Sequence, residues 1–484
     1  MSGTKRERDA DPQPAAKRPR YVDDLLEDSE APAPGPKFRA PTELSEMQRK
    51  VYTAVVRDGQ SVFVSGCGGT GKSYLVEKIR EALPRYGVHV TASTGIAGVN
   101  IGGTTLHSFS GLGLGTAPFQ QLMYKMSSRA KKRWKNARTL FIDEVSMVSA
   151  EFWDKVDQTA RYMRKTDRPF GGLQLIVTGD FLQLPPVIKN LRPGMKRFAF
   201  ETESWKRCFS RHQYELTHVF RQSDRDFVDV LQDVRHGRVT DRAHKALTAR
   251  VGAELDCSDG IEPTQLLALR AAVSRINGVR LSQLEGETHT YKCKDTGDAR
   301  WKETLAKNAQ AAAQLQLRVG AQVMLLKNLD PESGLVNGSR GVVTGFVAAP
   351  PGAVQAALEA AEKGPRFAKA AVSASTAYPR VRFCNGLELV ITPERWNIEQ
   401  DGNIKASRDQ VPLILAWAVT IHRSQGMTLD RAIVSLKGVF ECGQAYVALS
   451  RLRSLEGLQL SGYTRECIKA DAKALAYYAK TQSG

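Results

Sequence analysis

Short runs rich in β-branched and other apolar residues, Ser61–Ser65, Thr139–Ile142 and Leu173–Thr178, alternate along this chain with longer helical stretches such as Tyr74–Leu83. Apolar runs of this length suit parallel strands buried on both faces. Strands that alternate with helices predict an α/β fold, and the pattern begins at about Leu44. A different texture runs from Val319 to Arg395, where the strand-like pieces Gln322–Leu326, Gly341–Phe346, Val381–Phe383 and Leu387–Ile391 are separated by Gly, Pro and Asn. We expect a small inserted β-barrel there. Between its strands, Ala348–Ala377 holds 12 alanines in 30 residues, a bias that suits a surface insertion, mobile or partly helical.

Residues 1–39 lie outside both patterns. Their eight basic and eight acidic residues, among Pro and Ala, predict a disordered tail of no net charge. Over the whole chain, 69 Lys and Arg against 51 Asp and Glu leave a formal charge of +18. The excess therefore belongs to the folded body, where it favours a polyanionic partner. No run approaches the roughly 18 apolar residues of a membrane-spanning helix, so no membrane partner is expected. Met1–Arg20 lacks the apolar core of a secretory signal, and an intracellular protein is expected. Lys17-Arg18-Pro19-Arg20 is either a nuclear-import signal or an ordinary basic run; the nucleus is the first reading and the mitochondrion the alternative. Seven scattered cysteines without a C-x-x-C pair read as reduced thiols.

Candidate chemistry starts at Gly66-Cys67-Gly68-Gly69-Thr70-Gly71-Lys72-Ser73, set between an expected strand and an expected helix. This is the context that a P-loop requires. Glycines let backbone amides turn inward around phosphates, and the helix N-terminus adds its positive end. Lys72 then reaches the β- and γ-phosphates of ATP, and the Ser73 hydroxyl is a ligand for Mg²⁺. Asp143 and Glu144 follow the strand Thr139–Ile142: Asp143 would hold Mg²⁺ through water, and Glu144 would deprotonate the attacking water. A third strand leads into Gly179-Asp180-Phe181-Leu182-Gln183, where Gln183 either senses the γ-phosphate or caps a loop.

Taken together, these motifs and their order resemble the petite-integration-frequency (Pif-type) DNA helicases of superfamily one, relatives of RecD. The likeness runs from about Thr42 to Leu460 and includes Leu44-Ser45-Glu46-Met47-Gln48, Ala92-Ser93-Thr94-Gly95-Ile96-Ala97, Gly103-Thr104-Thr105-Leu106-His107-Ser108-Phe109 and Asp143-Glu144-Val145-Ser146-Met147. Its most specific part is Glu151–Arg161 with Pro169-Phe170-Gly171-Gly172. Further matches are Val219-Phe220-Arg221-Gln222, Thr420-Ile421-His422-Arg423-Ser424-Gln425-Gly426, Gln444–Arg451, and the turn Leu335-Val336-Asn337-Gly338 in the barrel segment.

The resemblance implies two RecA-like P-loop domains with an inserted SH3-like β-barrel. The first domain would span 40–218, with a basic insertion near 111–138, and the second 219–318 with 396–484. The barrel would occupy 319–395, including the 348–377 loop. It makes Gln48 an adenine contact, makes Arg221 and Arg451 γ-phosphate arginines from the second domain, and adds Gly426 to the nucleotide-binding set of Gly66, Gly68, Gly69, Thr70, Gly71, Lys72 and Ser73. As DNA contacts it implies Thr94, Gly95, Thr105, His107, Phe109, Asn337, Gly338, His422 and Ser424.

The implied activity is ATP-dependent 5′→3′ translocation on single-stranded DNA and unwinding of forked duplex, with quadruplex unwinding suggested by the family alone. A monomer is expected, with a DNA-induced dimer as the alternative. Seven Lys or Arg and no acid between Leu122 and Arg138 form either a solvated helix face or a phosphate contact. A nucleic-acid-binding ATPase switch that does not translocate is the rival reading, and it has no need of Arg221, Arg451 and the Thr420–Gly426 element together.

Overall fold

The computed structural model describes residues 40–482 apart from 114, 189–191, 193, 310, 331, 363–368, 401–402 and 440. The expected acidic-basic tail and its Lys17–Arg20 run lie outside the described residues. From Pro41 onward the chain is one compact unit.

Two parallel sheets organise it, and both are RecA-like α/β layers. The first orders its six strands Thr104–Thr105, Val88–Ala92, Thr139–Asp143, Gln174–Thr178, Val62–Gly66 and Gln213–Leu216. Every pairing in it is parallel, with Val62 opposite Ile176 and Phe63 opposite Gln213. Val62–Gly66 and Thr139–Asp143 are buried at every position, as strands covered on both faces must be. The second orders Ala418–Thr420, Thr264–Leu267, Ala432–Ser435 and Leu458–Ser461, again all parallel. In both sheets the candidate motifs follow strand C-termini, the edge where open α/β sheets bind ligands.

The segments expected as a barrel form an antiparallel sheet in the order Glu388–Val390, Ala377–Phe383, Arg340–Ala348, Gln322–Leu325, Leu413–Leu415. Its last strand comes from beyond Arg395, because the apolar Leu413–Leu415 completes a face whose core holds Val323, Leu325, Val343, Val381 and Phe383. The alanine-rich insertion leaves and rejoins this sheet at one pair, Ala348 opposite Ala377. Within it, Pro351–Glu362 is helical. An insertion between directly paired residues disturbs the sheet little, since its main cost is closing the loop.

The final helix, Ala472–Gln482, falls in the segment expected with the second lobe and packs on the first. Ala474 and Tyr478 are buried in the first lobe's core, and the Tyr477 ring stacks on Phe200 at 4.4 Å. The Tyr478 hydroxyl lies 2.6 Å from Ser65 Oγ, beneath the P-loop strand, and accepts the Phe181 amide at 3.1 Å. A second tie runs the other way. Arg235 ends the helix Arg225–Arg235, whose Phe227, Val230 and Val234 belong to the second lobe's core. Its guanidinium grips Asp180 of the first lobe through Nε at 2.9 Å and Nη2 at 3.0 Å. Burial alone would raise the Asp180 pKa, but the charge and hydrogen bonds of Arg235 hold it below the usual carboxylate value.

Both side chains of that pair are essentially inaccessible, at 4% and 0% exposure. Removing one partner strands the other charge in a dry site. Arg235→Ala should therefore lower unfolding stability by about 3–5 kcal/mol, read by urea denaturation; a loss under about 1 kcal/mol would show that water reaches Asp180 and screens it.

Candidate nucleotide site and nucleic-acid cleft

The P-loop leaves the strand Val62–Gly66 and enters the helix Lys72–Ala82 through Gly71, whose φ of +78° favours glycine. A Cβ on Gly71 would meet Gln48 Nε2 at 2.7 Å, and one on Gly69, at φ +88°, would meet Arg221 Cβ at 2.6 Å. Glycine is therefore required both by conformation and by close approach. Lys72 Nζ folds back to donate to the carbonyls of Gly66 at 2.7 Å and Cys67 at 3.0 Å. Burial holds its pKa below the ordinary lysine value. Thr70 Oγ1 donates to the Cys67 carbonyl at 2.9 Å.

Gln48, expected at the adenine, is buried and braces the loop. Its Nε2 donates to the carbonyls of Thr70 at 3.3 Å and Gly71 at 3.5 Å, and its Oε1 accepts the Ser45 amide at 3.0 Å in a helix capping box. Phe220, given no role from sequence, stands beside it. Its ring lies 3.5 Å from a Cβ built on Gly71, its amide donates to the Gly69 carbonyl at 2.9 Å, and it is 54% exposed. An exposed aromatic face at the rim of a P-loop suits stacking on a flat ring. The available signal was its place directly before Arg221.

Asp143 ends its strand, and its Oδ1 accepts the Glu144 amide at 2.9 Å and the Thr178 hydroxyl. Burial raises its pKa. Glu144 has φ +53°, a left-handed conformation that costs a residue with a side chain about 1–3 kcal/mol and tends to persist at functional sites. Burial, and then the neighbouring Asp143 charge, push the Glu144 pKa up to about 7. A carboxyl so poised is suited to take a proton from water.

Two arginines reach this loop from the second lobe. Arg221 Nε donates to Thr428 Oγ1 at 3.1 Å and Nη1 to the Ser450 carbonyl at 2.9 Å. Arg451 Nε donates to the Val447 carbonyl and Nη2 to Ser450 Oγ, both at 2.8 Å. A methyl group on Gly68 would sit 3.3 Å from Arg221 Nη1 and Arg451 Nη2 alike. Burial, then the proximity of Arg451, lowers the Arg221 pKa to about 9, and burial lowers that of Arg451. Three cations around one glycine loop call for an anion between them.

Gln183 is buried where the lobes meet: a Cβ on Gly443 would strike its carbonyl at 2.5 Å. Ser73 is exposed at the start of the P-loop helix and shares with Asp143 and Glu144 a cleft of about 800 Å³. Thr94, Asn337, His422 and Gly426 line the same cleft. The structure thus joins one end of the nucleotide site to part of the expected DNA set in a single opening. Thr94 and Thr105 cap short helices, accepting the amides of Ala97 at 3.2 Å and Ser108 at 3.1 Å, and Gly95 begins the first of these. Asn337 Oδ1 is buried and has no hydrogen-bond partner among the described residues. Gly338 is pressed on the backbone of Thr428, and the His107 ring stacks on Phe152 at 3.8 Å.

Three expectations are corrected. Phe109, a candidate base-stacking residue, is 1% exposed and packs edge-on to Trp134 at 4.8 Å in the first lobe's core. Ser424, a candidate DNA contact, is fully buried and donates to the Ile421 carbonyl at 2.8 Å. In the basic run, Arg133 is buried and donates to the carbonyls of Ser108 and Phe109. The exposed cations there are Lys125, Arg129, Lys132, Lys135 and Arg138.

Paired RecA-like lobes, a P-loop with its acidic pair, and arginines delivered from the opposite lobe define a P-loop nucleotide-binding protein of the tandem-lobe class. A family model described as PIF1-like helicase matches residues 43–245, and one described as DNA helicase Pif1, 2B domain, matches 300–346. The human ATP-dependent DNA helicase PIF1 is 44% identical over 444 residues, covering 91% of this chain and 64% of its own length. The crystal structure of Pif1 helicase from Candida albicans superposes with a TM-score of 0.66 at 39% identity, over 90% of this chain and 99% of that one. Pif1 helicase from Bacteroides, crystallised with ADP-AlF3 and single-stranded DNA, gives a TM-score of 0.59 at 31% identity, over 91% of this chain and 97% of that one. The chain belongs to the PIF1-like helicase family.

An acid whose pKa is raised keeps its proton until pH climbs through the new value. Glu144 is therefore available as a base only above about pH 7, and kcat/KM for ATP should rise along an acid limb centred there. Glu144→Gln should reduce hydrolysis by about 10²–10⁴-fold. A limb in the ordinary carboxylate range would assign the proton transfer to another group.

Proposed function

We propose that this chain is an ATP-driven DNA helicase that moves 5′→3′ along single-stranded DNA and opens forked duplex. One observation carries the reading: arginines of one lobe meet the P-loop of the other beside a cleft that runs on to Thr94, Asn337 and His422. In ATP hydrolysis, Glu144 takes a proton from the attacking water, while Lys72, Arg221 and Arg451 neutralise charge that grows on the transferring phosphoryl group. Phe220 and the loop braced by Gln48 receive the base.

The residues present fit Mg²⁺. Ser73 and Asp143 offer two oxygen ligands in one cleft, and Mg²⁺ commonly takes few protein ligands, completing its shell with phosphate and water. When bound, the ion would supply charge neutralisation at the phosphates.

Because the arginines and the P-loop sit on different lobes, the charge state of the loop biases how the lobes meet, and a strand bridging them feels that bias. The Bacteroides relative was crystallised with a nucleotide analogue and single-stranded DNA together, which supports the same pairing of ligands here. We assign the antiparallel insertion to an SH3-like module and the acting unit to a monomer. We place the protein inside the cell, with the nucleus first on the basic run Lys17–Arg20 and the mitochondrion as the alternative.

Hydrolysis should be slow without DNA, strongly stimulated by single strands, and abolished in Lys72→Ala. A duplex with a 5′ single-stranded tail should be unwound and the same duplex with only a 3′ tail left paired; the opposite preference would overturn the polarity while leaving the ATPase in place. Replacing the exposed Arg129, Lys132 and Lys135 together should flatten the fall of log affinity with log salt by about 0.7 for every phosphate these cations no longer neutralise. An unchanged slope would return that helix to solvent.

A further inference from the structure

Tyr446 belongs to the second-lobe helix Gln444–Leu449 and is buried there. Its hydroxyl nevertheless reaches out of its lobe and accepts a hydrogen bond from the Gly68 amide of the P-loop at 2.8 Å. Gly68 lies against both arginines, in a loop whose amides turn inward around phosphates. In this arrangement the donor is already engaged by the other lobe. The same short helix also fixes the arginine that follows it, since Arg451 Nε donates to Val447. A charged phosphate oxygen is a stronger acceptor than a neutral phenol. A nucleotide can therefore displace the tyrosine, but must replace one hydrogen bond to do so.

We propose that Tyr446 is a latch that competes with nucleotide for the Gly68 amide. Without phosphate it fastens the second lobe to the P-loop; with phosphate it lets go, and the helix that carries Arg451 registers the change directly. Tyr446 is on this view a positioning residue, and the proposal rests on the reading of the P-loop as the nucleotide site. It gives the loop a way to report occupancy that does not wait for hydrolysis.

Tyr446→Phe removes one oxygen and leaves the ring in place. The variant of the full chain should bind ADP and a non-hydrolysable ATP analogue about five-fold more tightly than wild type, the factor expected for one ordinary hydrogen bond no longer competing, and KM for ATP should fall accordingly. A residue that merely shaped the loop would weaken binding when altered. In the otherwise unmodified protein labelled with fluorotyrosine, the fluorine NMR resonance missing from Tyr446→Phe should shift when ADP is added. Unchanged or weaker affinity in the variant, or a Tyr446 resonance indifferent to nucleotide, overturns the latch. Failure of the wild type itself to bind ADP overturns the P-loop reading and the latch together.

Discussion

Lys72, Arg221 and Arg451 crowd the loop around Gly68, and burial lowers the pKa of each. Cations do not gather in a dry site without something to answer them. Asp143 and Glu144 answer poorly, because burial raises the pKa of both. A cluster so placed suits a polyanion, and the three cations come from two lobes. On the proposed function, whatever binds there holds the lobes to each other, so that chemistry at the phosphates and movement of the lobes would share one cause.

Other contacts keep that junction from falling open. The Asp180–Arg235 pair and the Ala472–Gln482 helix also cross between the lobes. The first is a fixed buried ion pair. The second is an apolar anchor whose Tyr478 reaches Ser65 beneath the P-loop strand. With these ties in place, the junction around Arg221, Arg451 and Tyr446 suits a hinge more than a separation. The cleft shared by Ser73, Glu144, Asn337 and His422 lies where such a hinge would change the grip on a strand.

Three of the parallel strands, Val62–Gly66, Thr139–Asp143 and Gln174–Thr178, were legible because each is a largely apolar run, and their bounds lie within about a residue of expectation. The P-loop and its acidic pair were legible because their spacing is local. What escaped depends on contacts far apart in the chain. Phe109 sits in a motif whose pattern looks the same whether the ring faces a base or the core, although the neighbouring Trp134 shares its fate. Among seven cations in one run, nothing local marks Arg133 as the one that turns inward to the carbonyls of Ser108 and Phe109. Nor does the last helix declare which lobe it will cover. The edge strand Leu413–Leu415 was missed for the same reason, since it joins the antiparallel sheet from outside the segment whose texture announced it.

Across the lobe junction, the two arginines are placed to read the terminal phosphate. Thermal unfolding with equal concentrations of ADP and of a non-hydrolysable ATP analogue, both well above their Kd and each with Mg²⁺, is the sharpest check, since a ligand stabilises the folded state with the logarithm of its concentration over its Kd. The analogue should raise Tm more than ADP in the wild type, and the difference should vanish in the double variant Arg221→Ala with Arg451→Ala while the ADP shift survives. An undiminished difference in the double variant would contradict the account.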